Sequence, residues 1–200
     1  MKKYLILLTA FVLTLSSCTK DDPIAEVDQE ELSTATLTFT PVERINNNGE
    51  ITYKTIEGEN AESIKFEGKQ LLPPTDAHLH LHVGETYKME LKTTDFAGRP
   101  SENTFLSRAD THQAFLLGTP TGAIDFVYGD DNVGVTAYIT VLKQGETSIF
   151  NYILRHLNKG VKDRIKASDW NNVNYSQFTG DNDLNLKFSV HLVDHSHEGH

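Results

Sequence analysis

Apolar and polar residues alternate along most of the chain from position 33 to position 193. The segment at 36–40, with the sequence TLTFT, is the first clean example of this alternation. Alternate side chains of a β-strand point to opposite faces, whereas an amphipathic helix repeats about every 3.6 residues. The period of two therefore predicts a domain made mainly of β-strands.

Nine further segments carry the same alternation and contain many β-branched or aromatic residues. They cover residues 51–55, 63–66, 78–83, 87–93, 113–117, 123–128, 133–141, 148–157 and 184–193. Turn-forming residues separate them at 46–49, 84–85, 129–132, 144–145 and 180–182. This pattern is typical of an immunoglobulin-like antiparallel β-sandwich, which is the predicted fold, or of a calycin-type barrel, the alternative.

Two places in the chain have a helical pattern instead. Residues 101–110 follow Pro100 and place Phe105, Leu106 and Ala109 on one side of a short helix. A single turn is predicted around 168–170. Neither is long enough to change the class, so we predict an all-β fold with one short helix.

The first 17 residues have the pattern of a secretory signal peptide. Lys2 and Lys3 precede an apolar run at 4–15, and small residues lead to Cys18. The sequence Leu-Ser-Ser-Cys at 15–18 resembles the lipobox of bacterial lipoproteins, in which cleavage occurs before a cysteine that becomes lipid-modified. We predict that Cys18 is lipidated and anchors the chain in a bilayer. The alternative is a secreted protein in which this single cysteine stays free.

Residues 18–33 have the composition of a flexible linker. The stretch is acidic, poor in large apolar residues and contains Pro23. Its sequence Thr-Lys-Asp-Asp at 19–22 resembles the signal that sends lipoproteins of the Bacteroidota to the cell surface, although an ordinary solvated linker also fits. We predict a lipid-anchored outer-membrane protein with a folded domain at 34–193 and a histidine-rich tail at 194–200.

Net charge limits the class of partner. The chain has 28 acidic and 18 basic residues, which gives a formal net charge of −10. Nucleic acid and anionic lipid surfaces attract basic proteins, so neither is expected to bind this domain. The negative field instead favours cations.

Seven of the nine histidines lie in two short segments of the chain. In an extended strand His78, His80 and His82 share one face. Neighbours in this row have Cα atoms about 6.6 Å apart, a spacing at which two imidazoles can bind one ion at about 2.0 Å. The outer two are about twice as far apart, so a second element has to complete a metal site.

The C-terminal histidines are the candidates for that second element. His191 lies on the polar face of the segment 184–193, and His195, His197 and His200 follow it on the tail. Such a composition is typical of metal-binding tracts. The alternatives are a solvated strand face for the histidine row and a tail that binds divalent ions only weakly.

His112 and His156 are the other two histidines. His112 lies at the predicted junction of helix and strand, and His156 shares a strand face with Tyr152 and Leu154. A buried, hydrogen-bonded histidine is the commoner explanation of such a position. The second interpretation is that the two histidines form a ligand pair for a metal ion or for haem iron.

No pattern in the sequence indicates an enzyme. The segment LLPPTDAHLHL at 71–81 resembles the first metal-binding strand of amidohydrolases, but that barrel needs about 250 residues of alternating strand and helix. The sequence has no glycine-rich phosphate loop, nucleophile elbow or HExxH helix. A candidate calcium site consists of Asp125, Asp130 and Asp131, but Gly-Asp-Asp-Asn at 129–132 is most often a turn. We predict a protein without enzymatic activity.

Three segments resemble a family of surface lipoproteins of the Bacteroidota. They are Ala-Asp-Thr-His-Gln at 109–113, Gly-Asp-Asp-Asn at 129–132 and Leu-Arg-His-Leu-Asn-Lys-Gly at 154–160, followed by the closing strand at 184–193. The chain departs from the family at Ser107 and Arg108, where an acidic run is usual, and in its histidine row. The resemblance implies a partner of a TonB-dependent transporter that captures a metal, haem or another nutrient.

Together these observations predict a membrane-anchored lipoprotein that binds a transition metal through histidine. Imidazole without thiolate suits zinc first, and also copper or nickel. The alternatives are haem binding by His112 and His156, and an adhesion or assembly module in which the histidines have no metal function.

Overall fold

Ten β-strands account for most of residues 32–194, the part of the chain that this computed structural model describes. They are β1 (Leu32–Asn47), β2 (Glu50–Thr55), β3 (Glu62–Glu67), β4 (His78–His82), β5 (Thr86–Asp95), β6 (His112–Leu117), β7 (Ile124–Tyr128), β8 (Thr136–Val141), β9 (Ser148–Leu157) and β10 (Gly180–Val193). The helix α1 (Glu102–Ser107) joins β5 to β6, and three 3-10 turns lie between β9 and β10. Within 32–194, no helix has the length and apolar character needed to cross a bilayer.

The strands form two sheets. The larger has the order β2-β1-β5-β8-β7, with β3 also paired to β1, and the smaller has the order β4-β10-β9-β6. The 16 residues of β1 are enough to pair with β3 along 34–39 and with β2 along 42–47. Among the paired strands of the described chain, only β4 and β10 run parallel. This parallel pair places the histidines of β4 beside His191 of β10.

The alternating apolar residues of both sheets form a common core. Phe188 of β10 lies near its centre, where the rings of Phe39, Phe66 and Phe150 have centroids 6.1 Å from its own. All four side chains are buried. Burying a phenylalanine contributes about 1.5–3 kcal/mol, so this cluster holds the two sheets together.

β6 and most of β9 are buried on both faces. The segment between β9 and β10 covers their outer face, where Phe115, Leu157, Val161 and Phe178 form a second apolar cluster. On the inner face Phe105 of α1 is fully buried and belongs to the main core. Polar residues at this end of β6 and β9 are therefore largely removed from water.

The predicted all-β sandwich with one short helix is confirmed. The nine predicted segments correspond to β2–β10, and α1 lies within the helix predicted at 101–110. The turn predicted at 180–182 is wrong, because these residues open β10. Gly180 has a φ of +146° and passes so close to the backbone of β9 that an added Cβ would lie 2.1 Å from the carbonyl oxygen of His156. Glycine serves close strand packing here rather than a turn.

Several predictions fall on residues outside 32–194. They are the signal peptide, lipidated Cys18, most of the linker, and the tail histidines His195, His197 and His200. β1 begins at Leu32, just ahead of the predicted start of the folded domain.

Candidate metal centre

Three potential metal ligands converge at one end of the smaller sheet. His112, His156 and Asp183 each offer a ligand atom, and these atoms all lie within 4.8 Å of one another. Nε2 of His112 is 3.2 Å from Oδ2 of Asp183, and both side chains are buried, with exposures of 3% and 5%. This group can hold a metal ion.

Strand pairing explains why the three residues meet. His112 of β6 is the direct partner of His156 of β9, so their side chains stand next to each other on one face. On the other side of β9, the register with β10 shifts between Asn182 and Leu184. Asp183 is the extra residue of this bulge, and a bulge redirects the side chain that it inserts. The carboxylate therefore joins the two imidazoles on neighbouring strands.

The ring of His112 is fixed by a contact on its other nitrogen. Nδ1 lies 2.9 Å from the carbonyl oxygen of Arg108, to which it donates a hydrogen bond in the tautomer that this contact implies. Phe105 packs against the same ring, with centroids 5.4 Å apart. A histidine that ligates a metal usually donates its second N–H to a carbonyl or carboxylate in this way, because the bond holds the ligating nitrogen in place.

The carboxylate of Asp183 lacks a hydrogen bond that its burial would require. Oδ2 is buried and accepts no hydrogen bond, although Nε2 of His112 is 3.2 Å away. A buried charge without a hydrogen-bonding or metal partner is costly. A cation bound between Asp183 and the two imidazoles would satisfy this oxygen.

His156 is half-buried and faces solvent through a pocket. Burial lowers its pKa, and the neighbouring His112 lowers it further, so the ring is neutral near pH 7. The pocket has a volume of about 310 Å³ and is also lined by Asn158, Lys159 and Asp181. Neutral imidazole is the form that binds metal, and the pocket leaves room for water as a further ligand.

Arg155 holds the start of β10 against β9. Its guanidinium donates to the carbonyl oxygens of Phe178 and Gly180, and to Oδ1 of Asn182 at 2.5 Å. The group is buried, and it also lies 5.4 Å from the centre of the Tyr175 ring. Because these partners immediately precede Asp183, Arg155 positions the bulge that presents the carboxylate.

Lys162 fixes the backbone around His112. Its ammonium donates to the carbonyl oxygens of Ala109, His112 and Asp131 at 2.5, 2.8 and 2.8 Å. Burial lowers its pKa. The contacts tie the end of the α1 connection, the first residue of β6 and the turn after β7 to one side chain, which keeps His112 in register.

Asp130 stabilises the turn that follows β7. The carboxylate of Asp130 accepts hydrogen bonds from the backbone N–H groups of Val133, Gly134 and Thr136 at 3.0, 2.8 and 2.8 Å. Three backbone donors occupy the oxygens that a calcium ion would need. The geometry favours the turn over the calcium site.

The predicted histidine row is divided in the structure. The rings of His78, His80 and His191 contact one another, with centroid distances of 4.8, 5.1 and 5.1 Å. His82 instead lines a separate polar pocket together with Glu62 and Tyr87. Because β4 lies parallel to β10, His191 rather than His82 becomes the third member of the cluster.

Sequence reasoning paired His112 with His156 as a second interpretation and missed Asp183. Asp183 falls between the predicted turn at 180–182 and the predicted strand at 184–193, so neither prediction assigned it a role. The only available signal was Gly180, whose need for close packing marks an irregular strand start.

The chain matches no family model, and no curated protein is detectably similar to it in sequence. The conclusion about the site therefore depends on its geometry: two imidazoles and one buried carboxylate within reach of a single ion.

Proposed function

We propose that this protein is a membrane-anchored lipoprotein that captures a transition-metal ion, zinc first, with His112, His156 and Asp183 as ligands. The observation that carries the proposal is the convergence of their three ligand atoms within 4.8 Å. The buried Oδ2 of Asp183, which accepts no hydrogen bond, supports it because a bound cation would compensate its charge.

The ligand set favours zinc, copper or nickel over calcium or magnesium. Two imidazole nitrogens and one carboxylate oxygen suit borderline transition metals, whereas calcium and magnesium prefer oxygen ligands. Zinc comes first because three protein ligands with one solvent position is a common zinc arrangement. Asp181 lines the same pocket as His156 and Asp183.

Haem is the less favoured cofactor at this site. A haem with two axial histidines needs one imidazole on each face of the porphyrin. His112 and His156 are direct partners on adjacent strands, and their ring centroids are only 4.5 Å apart. No porphyrin fits between two rings that are already in contact.

The proposed role is delivery rather than catalysis. A lipid on Cys18 would tether the domain to the outer membrane, and the net charge of −10 would draw cations towards it. A TonB-dependent transporter is the proposed receiver of the ion. An adhesion or assembly module is the competing role, and in that case His112 and Asp183 would form a buried ion pair without metal.

Zinc titration followed by thermal unfolding tests the proposal. The protein should carry alanine at His195, His197 and His200, so that tail histidines do not bind zinc. At a zinc concentration 100 times Kd, binding to the native state adds about 2.7 kcal/mol, which raises Tm by about 5–10 °C in a domain of this size. Asp183→Asn should remove most of this rise, because it takes the charge away from the buried centre while keeping the size of the side chain.

Asp125→Asn is the matched control, because Asp125 is an exposed aspartate on β7. It should leave the effect of zinc unchanged. If Asp183→Asn and the control respond equally to zinc, the buried centre is not the binding site. The ion-pair explanation replaces the proposal if zinc does not stabilise the protein with Asp183 in place, while Asp183→Asn lowers the stability of the metal-free protein.

A further inference from the structure

A second cluster of imidazoles lies on the solvent-facing side of the smaller sheet. His78 and His80 are on β4, and His191 is on β10, with ring centroids 4.8 to 5.1 Å apart. The parallel register pairs His80 directly with His191, while His78 pairs with Ser189. The three rings therefore form a triangle that spans two neighbouring strands.

Two of these rings have the second nitrogen held by oxygen. Nδ1 of His78 is 2.8 Å from the carbonyl oxygen of Asp76, and Nδ1 of His191 is 3.3 Å from the hydroxyl of Thr147. An Nδ1–H that donates to oxygen leaves Nε2 with a free lone pair. The same arrangement orients histidine ligands in metal sites.

Solvent reaches the triangle directly. His78 and His80 are exposed, His191 is partly exposed, and a cleft of about 540 Å³ with Asp76 on its wall lies against the first and last of them. Burial, His80 and His78, in that order, lower the pKa of His191.

We propose that His78, His80 and His191 form a second transition-metal site, separate from the buried centre. His191 comes eight positions after Asp183 on β10, which is about 26 Å along the strand. One ion cannot touch both groups. The proposal stands on its own geometry and does not require the buried centre to bind metal.

The two sites differ in how they bind. The rings of His78 and His80 meet edge to face at 87°, so an ion has to turn exposed side chains before their nitrogens converge. Ordering mobile side chains costs binding free energy. The surface site therefore binds an ion more weakly and releases it faster than the buried centre, and water completes its coordination.

Titration with zinc alone tests this inference in the full chain that carries alanine at His195, His197 and His200. Two ions should bind per chain. The double variant His80→Ala and His191→Ala should bind one ion with the tighter affinity. The Kd of the weaker binding event should rise at least tenfold in this variant. Asn185→Ala changes an exposed residue of the same strand and should still bind two.

Nitrogen NMR of the imidazoles supplies an independent readout. Zinc should shift Nε2 of His78 and His191 far more than Nδ1, because Nδ1 is held by Asp76 and Thr147. Unchanged stoichiometry in the double variant, or unaffected Nε2 signals, would overturn the surface site. Loss of the tighter event in Asp183→Asn reports on the buried centre alone, so failure of one proposal cannot be mistaken for failure of the other.

Discussion

His112 on β6 and His156 on β9 lie directly opposite each other in the smaller sheet, with ring centroids 4.5 Å apart. Two imidazoles at this distance on one face can bind the same ion, but they need a third ligand from another strand. The bulge in β10 provides it, because it turns Asp183 towards the pair. The centre is thus built by backbone pairing across three strands.

Gly180→Ala tests how the bulge is positioned. The added Cβ would meet the carbonyl oxygen of His156 at 2.1 Å, so the start of β10 has to move away from β9. We expect a loss of about 1–3 kcal/mol in the free energy of unfolding and weaker zinc binding, because Asp183 moves with the strand. Urea denaturation and zinc calorimetry measure the two effects.

Gly145→Ala is the control for that change. A Cβ at Gly145 would be 3.6 Å from its nearest neighbour, which is ordinary van der Waals contact. Similar losses in both variants would contradict a special packing role for Gly180.

Lys162→Met should destabilise the end of the sheet that contains His112. The change keeps an apolar chain but leaves the carbonyl oxygens of Ala109, His112 and Asp131 without their donor. Loss of a buried charged hydrogen-bond partner costs about 1.5–3 kcal/mol. Chemical denaturation measures it, and Lys69→Met, at an exposed lysine, should change stability by less than about 0.5 kcal/mol.

Asp130→Ala separates a turn from a calcium site. The variant loses an acceptor for three backbone N–H groups, and we expect a loss of stability of about 2 kcal/mol. Calcium should leave the Tm of the unaltered protein unchanged, because the carboxylate is already occupied. A calcium-dependent rise in Tm that vanishes in Asp130→Ala would refute this account of the turn.

Acid should destabilise the metal-free protein before its carboxylates are protonated. Burial, and then a neighbouring histidine, lower the pKa of both His156 and His191 below 6.5. Because the unfolded chain then binds more protons than the folded one, the free energy of unfolding decreases as pH falls through 6.5 towards the folded pKa values.

NMR titration of the two imidazoles, with denaturation curves at about pH 7 and about pH 5.5, measures this dependence. Replacement of both histidines by glutamine should make the decrease smaller. Midpoints at or above the ordinary histidine value would contradict the prediction.

The sequence predicted the class of fold because its signals are local. Alternation in segments such as 184–193 follows from one buried and one more polar strand face, and β10 contains these same residues. Strand order is not local, and nothing in the sequence showed that β4 would lie parallel to β10. This one pairing decides that His191, and not His82, joins His78 and His80.

For the same reason, the sequence predicted only two of the three ligands of the candidate centre. His112 and His156 were recognised as a pair, but 44 positions separate them and their contact depends on the register of β6 with β9. Asp183 departs from the alternation that predicted its strand, because the bulge adds one residue. A rule with a period of two cannot anticipate the position at which the period breaks.

The most direct test of the central claim is a crystal structure of the zinc-loaded chain with anomalous diffraction recorded at the zinc edge. We expect an anomalous peak about 2.0–2.2 Å from Nε2 of His112, a ring nitrogen of His156 and a carboxylate oxygen of Asp183. A peak at His78, His80 and His191 would be the second site. Anomalous density confined to that surface cluster, with His112 hydrogen-bonded directly to Asp183, would contradict the buried metal centre.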